Sequence, residues 1–193
     1  SDEATRQIQM LIYGRRIPPE EEQTFDPGPF AYPFYTVFTL WPIVWLPYPW
    51  AEAIWLVILQ VSLFAGVLLA ARIYDWRPPR WLLTFTIVWA FLFYPSARAL
   101  MLGQYAIFIF ALIAGCLWAW QGKKDILAGL CLALATIKPQ MVFLMIPLLL
   151  VWAALARRWR FVASFAGGMA LLVGASWILE PAWMASFWRQ VVR

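Results

Sequence analysis

Residues 51–71 read Ala51-Glu-Ala-Ile-Trp-Leu-Val-Ile-Leu-Gln-Val-Ser-Leu-Phe-Ala-Gly-Val-Leu-Leu-Ala-Ala71, and the chain passes from there directly into Arg72-Ile-Tyr-Asp-Trp-Arg-Pro-Pro-Arg80. The first stretch holds one charge, Glu52, in 21 positions. A bilayer core about 30 Å thick is crossed by about 20 apolar residues of helix, so this stretch is expected to span a membrane. The loop after it carries three arginines, and short loops rich in Lys and Arg remain on the cytoplasmic side.

Outward from that pair the pattern repeats. Trp81 to Ala97 returns across the membrane, Arg98 to Gln104 makes a short outer turn, and Tyr105 to Trp120 crosses back to Gln121-Gly-Lys-Lys-Asp125. Ile126 to Ile137 then runs outward to Lys138-Pro139-Gln140, Met141 to Ala156 returns to Arg157-Arg-Trp-Arg160, and Phe161 to Leu179 leads out to Glu180-Pro181. The expected fold is all-α: a polytopic membrane helix bundle of about six transmembrane helices with additional surface or re-entrant helices. The three basic loops hold eight Lys or Arg in 18 residues, and eight of the ten acidic residues fall on the other side. Trp50, Trp55, Trp81, Trp118, Trp120, Trp159 and Trp183 cluster near the span ends, where amphipathic rings favour the interface. The weakest stretch is 126–156, whose two crossings are short; one long helix kinked at Pro139 is the alternative, and it would move Arg157 to Arg160 to the outer side. Ala166, Gly167, Ala170 and Gly174 read as a small-residue face for close helix packing.

Composition agrees. The chain is 64% hydrophobic and 13% charged, with a mean hydropathy of +0.71, against roughly 45–50% and 25% in soluble domains. The net charge of +5 sits in small clusters between apolar runs and forms no basic face, so nucleic acid is not an expected partner. Histidine is absent, which removes the commonest general base and metal ligand. Cys116 and Cys131 lie inside apolar runs and read as packing residues, not a disulfide or metal pair. No metal or cofactor is expected.

The first part of the chain differs. Ser1 to Ala31 is polar, with Glu20-Glu21-Glu22 and the breaker Asp26-Pro27-Gly28-Pro29. Asp2 precedes a stretch in which Ile8, Leu11 and Ile12 follow helical spacing up to Gly14, which reads as a short surface helix. Phe34 to Leu46, interrupted by Pro42, is too short to cross and reads as re-entrant or interfacial. Residues 1–50 are thus an extracytoplasmic loop region and 51–193 the transmembrane bundle, in a multi-pass protein of the cell membrane.

Few residues in such a chain carry chemistry. Lys138 follows only 12 apolar residues, and Pro139 leaves a carbonyl of the preceding turn unpaired. A cation and open backbone therefore meet below the outer surface. This is either an anion site for a phosphate or a lysine snorkelling from a helix end. Arg98, Gln104 and Gln140 lie in the two outer turns on the same side. That side also holds Asp2, Glu3, Glu20, Glu21, Glu22, Asp26, Glu52 and Glu180, any of which can act as a general base. From its place just ahead of a helix, Asp2 reads first as an N-cap.

Several motifs accumulate in order: Asp2, Gly14, Phe30-Ala-Tyr32-Pro33-Phe34, Gly103-Gln104, Ala128-Gly129-Leu130 and Thr136-Ile-Lys138-Pro139-Gln140, leading to Arg157-Arg-Trp-Arg160. In this order the chain resembles the polyprenol-phosphate-mannose-dependent mannosyltransferases, glycosyltransferase family 87 of the C-type membrane glycosyltransferases. Phe34 stands where the family pattern has a second proline. The resemblance implies a membrane glycosyltransferase that moves a sugar, mannose in the family's pattern, from a polyprenyl-phosphate donor to a glycan or glycolipid acceptor at the extracytoplasmic face, with inversion. It implies Asp2 as the base, with Glu3 beside it as an alternative. Lys138, Arg98 and Gln104 would meet the donor phosphate, and Tyr32 and Gln140 would orient substrate. Family members are longer, so the chain is expected to lack their first helix and later spans. A non-enzymatic membrane subunit or scaffold is the main alternative. A transporter would need an internal repeat, and none is convincing.

Overall fold

The computed structural model describes residues 32–191. Among these the chain is helical. A 3-10 turn, Phe34–Thr36, leads into α1 (Val37–Leu40), and then follow α2 (Tyr48–Ile73), α3 (Arg80–Leu92), α4 (Tyr94–Met101), α5 (Tyr105–Gln121), α6 (Asp125–Ala135), α7 (Pro139–Val142), α8 (Met145–Leu155), α9 (Trp159–Leu179) and α10 (Trp183–Val191).

Two helices, α2 and α9, are long and apolar enough to cross a membrane, and α3 with α4 makes a third if that pair, bent by 56°, counts as one span. The bend falls at Phe93, where Pro95 opens α4 and so cannot continue the hydrogen-bond ladder of α3. Helices α5, α6 and α8 are apolar but shorter. Among the described residues two or three helices thus have full span length, with shorter apolar helices between them, where six crossings were expected.

Helix ends follow their local chemistry. Proline occupies the first turn of α2, α4 and α7, where its missing N–H costs nothing. At the other end α2, α4, α5 and α8 share one cap. The amides of Trp76, Gln104, Lys124 and Arg158 reach back to the carbonyls of Ala71, Ala99, Ala119 and Ala153 at 2.8 Å. The residue before each amide, Asp75, Gly103, Lys123 or Arg157, has φ between 49° and 60°. This is the Schellman cap, in which a left-handed residue closes the last turn.

Contacts at the two ends set the direction of each helix. Trp55 Nε1 donates to the Gly103 carbonyl at 2.8 Å and Gln121 Nε2 to the Ile73 carbonyl at 3.2 Å, so α2 and α5 run parallel. Arg158 pairs with Asp125 and donates to the Trp120 carbonyl at 3.0 Å. The segment from Asp125 to Arg158 therefore leaves this end and comes back to it. It is a hairpin, not one kinked rod, and α9, which starts from the same end after it, runs parallel to α6. The turns after α2, α5 and α8 lie together at this basic end.

The close approach between α6 and α9 is made at Gly129 and Gly168. A Cβ at Gly129 would stand 2.6 Å from the Phe161 carbonyl oxygen, and one at Gly168 would stand 2.9 Å from Ala133 Cβ. Gly167 and Gly174, expected to form the packing face, have nothing within 4 Å of that position and look outward. The physical reason is phase: Gly168 and Gly167 are one residue apart and lie about 100° apart around a helix of 3.6 residues per turn. Cys116 is buried, Cys131 half-buried, and neither is bridged.

Candidate functional site

The half of the bundle away from the basic end holds the tyrosine, Gly-Gln and Lys-Pro motifs. Trp55, fixed by its bond to the Gly103 carbonyl, lies 4.7 Å from the Tyr105 ring, and Tyr32 lies 5.6 Å from the same ring on centroids. The Tyr105 hydroxyl shares a 2.8 Å hydrogen bond with Thr39 Oγ1. Gly103 supplies the positive φ, 60°, that turns the chain from α4 into α5 and leaves Gln104 exposed at the helix start.

The Lys-Pro turn is attached by a tyrosine. Tyr35, in the 3-10 turn, donates its hydroxyl to the carbonyl and hydroxyl oxygens of Thr136, both at 3.1 Å. Thr136 in turn donates to the Ala133 carbonyl at 2.5 Å and touches Met169 Sδ at 3.4 Å. Met169 lies ten residues into the 21-residue α9, about 15 Å along it at 1.5 Å per residue. The break between α6 and α7 thus stands beside the middle of a full-length helix. Lys138, at that break, is half-buried and makes no ion pair among the described residues.

Over this turn lies a cavity of about 640 Å³, lined by Tyr35, Pro139, Met169 and the helix α10, which contributes Trp183 and Trp188. Trp183 is buried against Tyr35, with ring centroids 6.1 Å apart. The indole Nε1 of Trp183 and the Oγ1 of Thr36 are buried without a hydrogen-bond partner among the described residues. Burial pushes the phenols of Tyr32 and Tyr35 up from their ordinary range, only partly offset at Tyr35 by the Thr136 hydrogen bond, so both stay protonated as donors.

The expected site residues divide into three groups. Tyr32 and Gln104 flank Tyr105 directly, and Lys138 and Gln140 share the turn that Tyr35 holds. Gln140 is exposed. Arg98 stands apart on α4, exposed, with its guanidinium 3.4 Å from the Tyr94 hydroxyl one turn back. Asp2 and Glu3 lie outside the described residues, as does the stretch up to Gly14 expected to form a surface helix. Glu52 and Glu180 are exposed. Three side chains that organise this end, Tyr35, Thr136 and Trp183, were not singled out from sequence. Thr136 lies within the Thr-Ile-Lys-Pro motif and Tyr35 follows Tyr32-Pro33, but Trp183 gave no signal beyond its place near a span end.

A second cleft, of about 450 Å³, runs between α2, α3, α4 and α5 and is lined almost wholly by apolar side chains, among them Leu63, Val67, Trp89, Ala99, Ile107 and Phe110. Pro95, Ser96 and Ala99 of its wall belong to the helix that carries Arg98.

Among the described residues, an all-helical architecture with full-length apolar spans is that of a helical membrane protein. The family model of glycosyltransferase family 87 matches residues 30–193, and the chain belongs to that family of membrane glycosyltransferases. No curated protein and no solved structure matches it significantly.

Proposed function

We propose that this chain contributes to an extracytoplasmic site that transfers a sugar, mannose by family pattern, from a polyprenyl-phosphate to an acceptor hydroxyl on a glycan or glycolipid. The observation that carries this reading is Lys138: a half-buried lysine without a counter-ion among the described residues, at a helix break beside the middle of α9. A monophosphate leaving group needs such a cation. Placed in a poorly hydrated setting, the cation stabilises developing negative charge far more than it would in water.

A single carboxylate completes the chemistry. It takes the proton of the acceptor hydroxyl as the oxygen attacks the anomeric carbon. The bond from that carbon to the phosphate oxygen breaks, polyprenyl phosphate leaves, and the configuration inverts. Asp2 is assigned this role, with Glu3 as the neighbouring candidate. Tyr32, Gln104 and Gln140 are exposed or half-buried donors that suit sugar hydroxyls. The apolar cleft beside α4 suits a polyprenyl chain, with Arg98 on the same helix as a further phosphate partner.

The test is made on the full-length protein in membranes, with a polyprenyl-phosphate sugar and, separately, a nucleotide sugar as donors. Asp2→Asn is expected to abolish transfer from the lipid donor while Glu3→Gln retains it; the reverse result moves the base to Glu3. Full transfer by both variants, or transfer from the nucleotide sugar alone, overturns the reading.

A further inference from the structure

At the basic end the turns after α5 and α8 form a concavity of about 450 Å³ that the transfer reaction does not use. It is lined by Lys123, Lys124, Asp125 and Arg160 at its rim and by Ile126, Leu127 and Leu130 along its floor. The one carboxylate of this rim is already occupied: Asp125 pairs with Arg158, and both side chains are less than a fifth exposed. The Arg158 guanidinium also stacks 3.8 Å from the Trp120 ring centroid. Lys124 lies over Trp118 at 4.3 Å, a contact that fixes its ammonium without neutralising it. Lys123, Lys124 and Arg160 have no carboxylate partner among the described residues. Three uncompensated cations therefore face one cavity.

The floor decides what kind of anion fits. Ile126, Leu127 and Leu130 lie on one side of α6 and remain 61%, 44% and 43% exposed. They continue from the cationic rim along the helix, away from the basic end. A soluble anion would satisfy the rim and leave this apolar strip bare. A molecule with an anionic phosphate at one end and a hydrocarbon chain at the other covers both.

We infer that the rim formed by Lys123, Lys124 and Arg160, with the Ile126, Leu127 and Leu130 floor, binds an anionic phospholipid of the leaflet on the basic side. The headgroup phosphate lies among the three cations and an acyl chain lies along α6. Because α6 runs from this rim directly to Thr136 and the Lys138 turn, the lipid braces the inner end of the helix that carries that turn.

The experiment uses the full-length protein purified in a neutral detergent, with native mass spectrometry and thermal unfolding as readouts after addition of phosphatidylglycerol, phosphatidylcholine or inorganic phosphate. Wild type is expected to retain phosphatidylglycerol in preference to phosphatidylcholine and to melt several degrees higher with it. K123Q/K124Q/R160Q is expected to lower that retention at least tenfold. R72Q/R77Q/R80Q, which removes the same charge from the first basic turn, is expected to leave it unchanged. I126S/L127S keeps the cations and is expected to weaken phosphatidylglycerol retention as well. Equal loss in both charge variants reduces the effect to bulk positive charge and overturns the site. Stabilisation by inorganic phosphate as large as by the lipid, or no effect of I126S/L127S, overturns the lipid assignment.

Discussion

The Tyr35 hydroxyl, from the first turn of the described chain, bonds at 3.1 Å to both oxygens of Thr136, which lies 101 residues later. One side chain thereby ties the tyrosine-proline segment to the Lys-Pro break. It does so in a buried place, where an unpaired hydroxyl or carbonyl would be costly.

Removal of that hydroxyl in Tyr35→Phe leaves the ring packing against Trp183 and removes the link to Thr136. The expected cost is about 1 kcal/mol, the usual net worth of such a bond. It is measured as a lowered unfolding midpoint in detergent. A midpoint equal to wild type would show that the Lys-Pro break holds its place without the tyrosine.

Lys138→Met keeps length and apolar character and removes the charge. If the lysine meets the leaving phosphate, transfer by the full-length protein drops by about 10²–10³-fold, the usual range for loss of one preorganised electrostatic contact. Lys138→Arg retains part of the activity, and the unfolding midpoint of both variants stays near wild type. Full transfer by Lys138→Met would remove this residue from the site.

Two glycines on one helix pair should respond oppositely to alanine. At Gly129 the new Cβ meets the α9 backbone at 2.6 Å, and overpacking against backbone costs about 1–3 kcal/mol. At Gly167 it meets nothing within 4 Å, so Gly167→Ala gains about 0.5–1 kcal/mol from helix propensity. Denaturant titrations of the two variants in one detergent give the comparison; equal effects would contradict the helix phase described above.

Left-handed residues give a matched set. Lys123 and Arg157 hold φ of 55° and 54°, which costs a non-glycine residue about 1–2 kcal/mol. Lys123→Gly and Arg157→Gly are therefore expected to stabilise, and Gly103→Ala, at φ of 60°, to destabilise, each by about 1 kcal/mol. Unfolding midpoints read the signs.

Asp125 and Arg158 join two turns of the basic end and are both largely buried. In a double-mutant cycle with alanine their coupling is expected at about 1–3 kcal/mol. Arg158→Ala should cost more than Asp125→Ala, because it also loses the Trp120 ring and carbonyl. Additive single effects would show that the pair does not hold the hairpin.

Sequence alone determined the solvent of this protein and much of its local form. Transfer of a side chain into hydrocarbon is close to a per-residue property, so the run from Ala51 to Ala71 announces a membrane helix wherever it stands. Proline starts and left-handed caps are equally local, and the family motifs were legible in order along the chain. Tertiary structure decided the rest. Whether 126–156 is a rod or a hairpin depends on Arg158 finding Asp125. Whether Gly129 or Gly167 is the contact depends on a rotation of one residue. The depth of Lys138 depends on Thr136 reaching Met169. These are pairings between residues distant in sequence, specified by side-chain shape and hydrogen-bond geometry, and no local transfer free energy carries them. The apolar pattern shows that helices form, and only their packing shows which faces meet.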